Sequence, residues 1–187
     1  MAVRDTVRRK LTYEDYVLFP EDGQRHEILD GEHYVVPAPT FDHQGILGNL
    51  FAPLALFVRQ HRLGFVRFAP VDVLLSQHDI VQPDLLFISN QRAGIVRGAN
   101  VQGAPDLVGE VLSDSTRLRD ETMKRYLYDR FGVLEYWLVD PQPRTVKVFR
   151  RSGAGFLPPE EFSAVAGARL TTPLLPGFEI PVREIFE

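Results

Sequence analysis

Glu110 stands inside Leu107-Val108-Gly109-Glu110-Val111-Leu112, a run that is apolar on both alternating faces and so reads as a buried central strand. Taking a lone carboxylate out of water costs several kcal/mol unless it is paired or coordinates a metal. Asp84 follows Gln82-Pro83 and immediately precedes Leu85-Leu86-Phe87-Ile88, at the threshold of another buried strand. Two carboxylates on adjacent strands could share a divalent cation, because Mg²⁺ is held by one or two carboxylates together with water and phosphate oxygens. The alternative is that Glu110 pairs with an arginine in the core and Asp84 simply opens a strand.

The segment after Glu110 adds a cation. Asp120 and Lys124 are four apart and share a helical face, from which the lysine could project back toward Glu110; the plainer alternative is a solvated ion pair. Glu27, in Arg25-His26-Glu27-Ile28-Leu29, would lie beside that helix in a compact fold, or else be an exposed strand acid. His43 and Gln44 begin a long helix, where free N–H groups and the dipole favour an anion such as phosphate; the alternative is a cap with a surface histidine. His26 and His33 flank Glu27 and Glu32. They lack the His-Glu-x-x-His spacing and can face opposite sides of a hairpin, so they read as no metal cluster.

Ser113 and Ser115 have no Gly-x-Ser-x-Gly elbow around them, which argues against a serine hydrolase. No glycine-rich phosphate loop occurs. Arg117, Arg119, Lys124, Arg125 and Arg130, with Arg59, His61, Arg62 and Arg67, could form a basic rim, or a solvated amphipathic face.

These residues need a scaffold, and the patterning supplies one. A short helix is expected over 13–19, capped by Thr12, and a hairpin over 25–36 around Asp30-Gly31. Apolar residues at helical spacing mark a helix from Asp42, as N-cap, to about Arg62, with Pro53 expected to kink it. Strands are expected over 65–68, 71–75, 81–88, 106–112, 134–139 and 145–151, and a second long helix over 113–131, closed by Gly132. Beyond Gly155 the chain turns Pro-rich and irregular. The order predicts one α/β domain over 1–187, a mixed central sheet flanked by helices. Its core would span about 12–150, with 151–187 packed on that core or on a partner subunit.

The bulk properties narrow the choice. The 187 residues amount to little more than one domain at roughly 150 per domain. With no cysteine, disulfides, thiol nucleophiles and Cys-ligated zinc or iron–sulfur centres are excluded. No apolar run is long enough to span a membrane, and residues 1–10 lack the apolar core of a signal peptide, so a cytoplasmic protein is expected. The net charge of −4 means that nucleic acid could not be held by overall charge, only by a local basic patch or bridging cations.

Six segments recur in a recognisable order: 25–32 (Arg-His-Glu-Ile-Leu-Asp-Gly-Glu), 42–44 (Asp-His-Gln), 81–85 (Val-Gln-Pro-Asp-Leu), 104–113 (Ala-Pro-Asp-Leu-Val-Gly-Glu-Val-Leu-Ser), Asp120 with Lys124 and Tyr128, and 132–141 (Gly-Val-Leu-Glu-Tyr-Trp-Leu-Val-Asp-Pro). Together, over about 12–150, they resemble the Uma-type restriction endonuclease family of the PD-(D/E)XK nuclease superfamily. The resemblance implies a restriction-endonuclease-like fold and a homodimer. It also implies a Mg²⁺-dependent endonuclease, with Mn²⁺ as a substitute, that hydrolyses DNA phosphodiester bonds. It places Asp84 and Glu110 as metal ligands with Glu27 as the acid completing the site, and Lys124 as the catalytic lysine. The superfamily's usual lysine position is Leu112 here, so the lysine would have migrated to the following helix. Gly109 and Asp114 also depart from the usual pattern, at a small apolar residue and a proline respectively. Those departures and the negative charge leave two rivals: an inactive binding or regulatory module on the same fold, and a metal-dependent hydrolase of a small phosphate ester.

Overall fold

The computed structural model describes residues 9–187; the reading of the extreme N-terminus as no signal peptide falls largely on residues outside these. A one-turn helix α1 (Tyr13–Tyr16) begins with a capping box, in which Thr12 Oγ accepts from the Asp15 N–H and the Asp15 carboxylate accepts from the Thr12 N–H. It is shorter than the 13–19 expected. Strands β1 (Arg25–Leu29) and β2 (Glu32–Val36) form the anticipated hairpin. Asp30 and Gly31 have φ of 50° and 80°, the positive values that a type I′ turn demands at both central positions.

Helix α2 (Phe41–His61) is capped by Thr40, whose Oγ accepts from the His43 N–H at 3.2 Å. Asp42, expected as the cap, sits in the first turn, where its charge still complements the dipole. The helix continues through Pro53 as one element and buries Leu47, Leu50, Leu54 and Val58. There follow β3 (Gly64–Phe68), β4 (Val73–Ser76), β5 (Asp79–Val81), β6 (Leu85–Ser89), a 3₁₀ turn over Asn90–Ile95, β7 (Val96–Arg97), β8 (Asn100–Gln102) and β9 (Leu107–Val111). The second helical segment is composite. Helix α3 (Arg117–Arg119) runs into a π turn (Asp120–Lys124) and then α4 (Arg125–Phe131), ended by Gly132 at φ 86°. It starts four residues later than 113, because Ser113, Ser115 and Thr116 bond to one another through their hydroxyls in a preceding turn.

Strands β10 (Glu135–Asp140) and β11 (Thr145–Ser152) agree closely with expectation. The C-terminal region is more ordered than its composition indicates. It forms β12 (Gly155–Phe156), β13 (Glu160–Ser163), β14 (Arg169–Thr171), β15 (Glu179–Pro181) and the turn-long α5 (Val182–Ile185). Its Leu170, Leu175, Phe178, Ile180, Val182 and Ile185 join α2 and the inner strands in one apolar cluster.

Two mixed sheets result, ordered β2-β1-β5-β4-β8-β7 and β12-β11-β10-β9-β6-β3, with β13 also paired to β11. Strands β9 and β10 run parallel, whereas β6 is antiparallel to β9. The strand expected over 81–88 is divided between the sheets: β5 belongs to the first and β6 to the second. Pro83, which has no N–H for a ladder, sits at the crossing. Asp84 therefore stands where the chain changes sheets.

The core makes a stability prediction. Leu54, fully buried from α2, should cost about 2–5 kcal/mol when changed to alanine. Trp137, the single tryptophan, is buried in the same cluster and reports unfolding by fluorescence in a denaturant titration.

Candidate active site

Glu110 lies in β9, between β6 and β10. Leu85 pairs with Gly109, so Asp84 is the next residue along, opposite Glu110. The two carboxylates are tied through each other's strands. The Asp84 N–H donates to Glu110 Oε2 at 3.3 Å, and the Val111 N–H donates to Asp84 Oδ2 at 3.0 Å. His43, in the first turn of α2, places Nε2 3.0 Å from Asp84 Oδ2, and Arg25 at the start of β1 places a guanidinium nitrogen 3.4 Å from Oδ1.

Lys124 enters from the π turn. The helix widens to i→i+5 bonding over the five residues that carry Asp120 and Lys124, a deviation frequent at functional sites. Lys124 Nζ lies 2.9 Å from Glu27 Oε1, 3.0 Å from Glu110 Oε1 and 3.5 Å from Asp120 Oδ1. One turn further, the Tyr128 hydroxyl donates to the same Glu110 Oε1 at 2.9 Å. Glu27, fully enclosed, also accepts from the Gln82 N–H at 2.8 Å and faces an Arg119 guanidinium nitrogen at 3.7 Å.

Arg25, His43, Asp84, Glu110, Asp120 and Lys124 border one cleft of about 190 Å³, walled by residues 37–40 and by Ser113, Ser115 and Thr116. Glu27 lies beneath it and does not reach its surface. Gln44 is exposed and outside it.

The electrostatics are asymmetric. Burial pushes the Glu110 carboxyl up to about 8; Lys124 opposes this, while Asp120, Asp84 and Glu27 reinforce it. Burial also raises Asp120. Asp84 moves the other way: burial would raise it, but the bond and charge of His43, the charge of Lys124 and the Val111 N–H together hold it below the usual range. Burial would strip the proton from Lys124, yet Glu110, Glu27, Asp120 and Asp84 hold it well above its ordinary value. Two acids on neighbouring strands are thus pushed apart, which is the pattern of divided roles.

Asp120 Oδ1 is buried and has no hydrogen-bond partner. Among the described residues, no three His, Asp or Glu side chains are gathered into a ready-made cage for a metal. The cleft instead offers hard carboxylate oxygens on two strands and room for water. That donor set suits Mg²⁺, which keeps several waters and dislikes all-protein cages.

Several cations of the expected basic rim point inward or along the surface. Arg117 makes a forked pair with Asp140 at 2.6 and 2.8 Å, and Arg125 lies over the Phe149 ring. Sequence patterning alone assigns no role to Arg25 or Tyr128. Arg25 is two residues from Glu27, hence on the same strand face, and Tyr128 is four from Lys124, hence on the same helix face. That spacing was the available signal.

No curated protein sequence matches the chain. A crystal structure described as "a putative nuclease belonging to DUF820 from Anabaena variabilis ATCC 29413" superposes with a TM-score of 0.79, covering 94% of this chain and 97% of that one. At 20% identity that likeness shows a shared fold, the mixed α/β architecture expected from the motif order. Residues 13–183 match the model of the Uma2 family, described as "Putative restriction endonuclease", and the chain belongs to that family.

Proposed function

We propose that this protein is a metal-dependent endonuclease that hydrolyses DNA phosphodiester bonds at the cleft between Asp84, Glu110 and Lys124. The observation that carries this reading is the convergence of two carboxylates from adjacent strands and one buried ammonium on a single opening. Mg²⁺ or Mn²⁺ held by Asp84 and Glu110 would polarise the scissile phosphate and lower the pKa of a bound water.

The protein's own residues do the rest. Lys124, kept charged by its carboxylate neighbours, presents a fixed positive charge that orients the attacking water or stabilises charge developing on the phosphate. Glu27 is a positioning residue: it holds Lys124 from below at 2.9 Å without touching the cleft. Tyr128 and Lys124 both occupy Glu110 Oε1, which turns Oε2 toward Asp84. His43 braces Asp84 and is the member of the His43–Gln44 pair that we assign to the substrate phosphate.

The test is cleavage of plasmid and single-stranded DNA with Mg²⁺, Mn²⁺ or EDTA, beside Glu110→Ala protein prepared identically. Metal-dependent cutting should fall at least a hundredfold in the variant, about the loss expected when one transition-state-stabilising group is removed. Equal cutting by both proteins overturns the assignment. Cutting of small phosphodiesters that duplex DNA does not inhibit would move the substrate to a small phosphate ester. No cutting with any metal would leave a binding module.

A further inference from the structure

The register of the first hairpin corrects the expectation that His26 and His33 face apart. His26 pairs with Val35, two residues from His33, so the two imidazoles are diagonal neighbours on one face. Glu27 and Tyr34, also paired, occupy the opposite face. Strand β1 therefore separates the histidines from the Asp84–Glu110 cleft. His26 Nδ1 and His33 Nε2 lie 3.0 Å apart, and Phe19 packs on both rings, with centroids at 5.5 and 4.5 Å.

The two nitrogens share one hydrogen in an N–H···N bond, the place that a bridging metal ion would take. Asp22 Oδ1, 3.1 Å from His26 Nε2, accepts a hydrogen bond from the Nε2–H and leaves the His26 Nδ1 lone pair aimed at His33. A carboxylate behind a histidine is the usual outer partner of a metal-bound imidazole, fixing its tautomer and ring orientation. Two imidazoles on a tetrahedral Zn²⁺ at 2.0–2.1 Å have nitrogens about 3.3 Å apart. Binding an ion there moves the His33 proton from Nε2 to Nδ1, widens the gap by a few tenths of an ångström and tilts both rings so that their lone pairs meet at the ion; His33 is exposed on the hairpin.

We propose that His26 and His33, supported by Asp22, form a second metal site that takes a Zn²⁺-class ion and is separate from the cleft. The site clips β1 to β2. Among the described residues no third His, Asp or Glu completes it, so water fills the remaining positions. Imidazole selects zinc, copper and nickel over Mg²⁺, while the cleft offers carboxylate oxygens, so the two sites prefer different ions.

The test is titration of untagged full-length protein with Zn²⁺, monitored by competition with a chromophoric chelator in excess Mg²⁺. The parent and Glu110→Gln proteins should each bind one Zn²⁺ with equal affinity. His33→Ala, at an exposed position, should lose that binding. Asp22→Asn should weaken it by about 10–100-fold, the loss typical of an outer-shell partner. Histidine ¹⁵N spectra of the parent should show His26 Nδ1 and His33 Nε2 shifting on Zn²⁺ addition, a readout independent of any variant's folding. Zinc binding that is absent from the parent, or undiminished in His33→Ala, overturns the proposal. Loss in Glu110→Gln instead would place the zinc in the cleft and also overturn it.

Discussion

In EDTA, Glu110→Gln protein is expected to be more stable than the parent at pH 8, and with Mg²⁺ restored it is expected to fail to cut DNA. The Glu110 carboxyl is raised to about 8 in the folded protein, chiefly by burial, from an ordinary value of 4.5. A raised acid contributes stability that is fully present below the unfolded value and is lost as pH rises through the folded one. The parent should therefore lose stability between about pH 4.5 and 8, and glutamine, which carries no charge, should remove that slope. Each pKa unit is worth about 1.4 kcal/mol, but glutamine accepts less strongly from Lys124 and Tyr128, so a net gain on the order of 2 kcal/mol is expected. Urea unfolding in EDTA at pH 5 and pH 8 measures it. Added Mg²⁺ should then raise the melting temperature of the parent and not of the variant, because only the parent keeps both carboxylates. A variant no more stable than the parent at pH 8 would show that Glu110 is adequately neutralised by Lys124 without a metal.

Lys124→Met should have the opposite effect on stability and the same effect on cleavage. Its ammonium is the shared partner of Glu27, Glu110 and Asp120, all buried. Removing one member of a buried ion cluster leaves charge without compensation and typically costs 3–5 kcal/mol. Glu27 bears the closest of these contacts, at 2.9 Å, and sits off the cleft. Adding Glu27→Gln to Lys124→Met should therefore recover at least about 1 kcal/mol, since contacting residues couple by 0.5–3 kcal/mol. Cleavage should stay absent in the double variant, because the positive charge at the cleft is still missing. A loss below about 0.5 kcal/mol for Lys124→Met would identify the lysine as solvent-compensated and remove Glu27 from its positioning role.

Much of the local structure is legible in the chain. Asp30-Gly31 between two short apolar-polar runs specifies a hairpin, because few residue pairs accept positive φ at both turn positions. The spacing of Leu47, Leu50, Leu54 and Val58 marks the buried face of α2. Its start lies two residues before the expected Asp42: Thr40 and Asp42 are both good caps, and it is Thr40 whose Oγ accepts from the N–H three residues on, that of His43. The small C-terminal strands are not legible in the sequence because they are two to four residues long and owe their order to packing on α2 and β11 rather than to local preference.

Glu110 and Asp84 stand out from residue order alone, since a carboxylate within or beside an apolar strand carries a desolvation cost wherever that strand lies. Asp120, Lys124 and Tyr128 share a helix face by helical spacing. What these groups meet depends on how distant elements pack. The change of sheet at Pro83 sets Asp84 opposite Glu110, and the π turn carries Lys124 between Glu110 and Glu27, residues far apart along the chain. Such contacts arise from how the two sheets pack and cross, and no short window of sequence encodes them. The shared face of His26 and His33 is of the other kind, because the two-residue Asp30-Gly31 turn fixes the register of its hairpin.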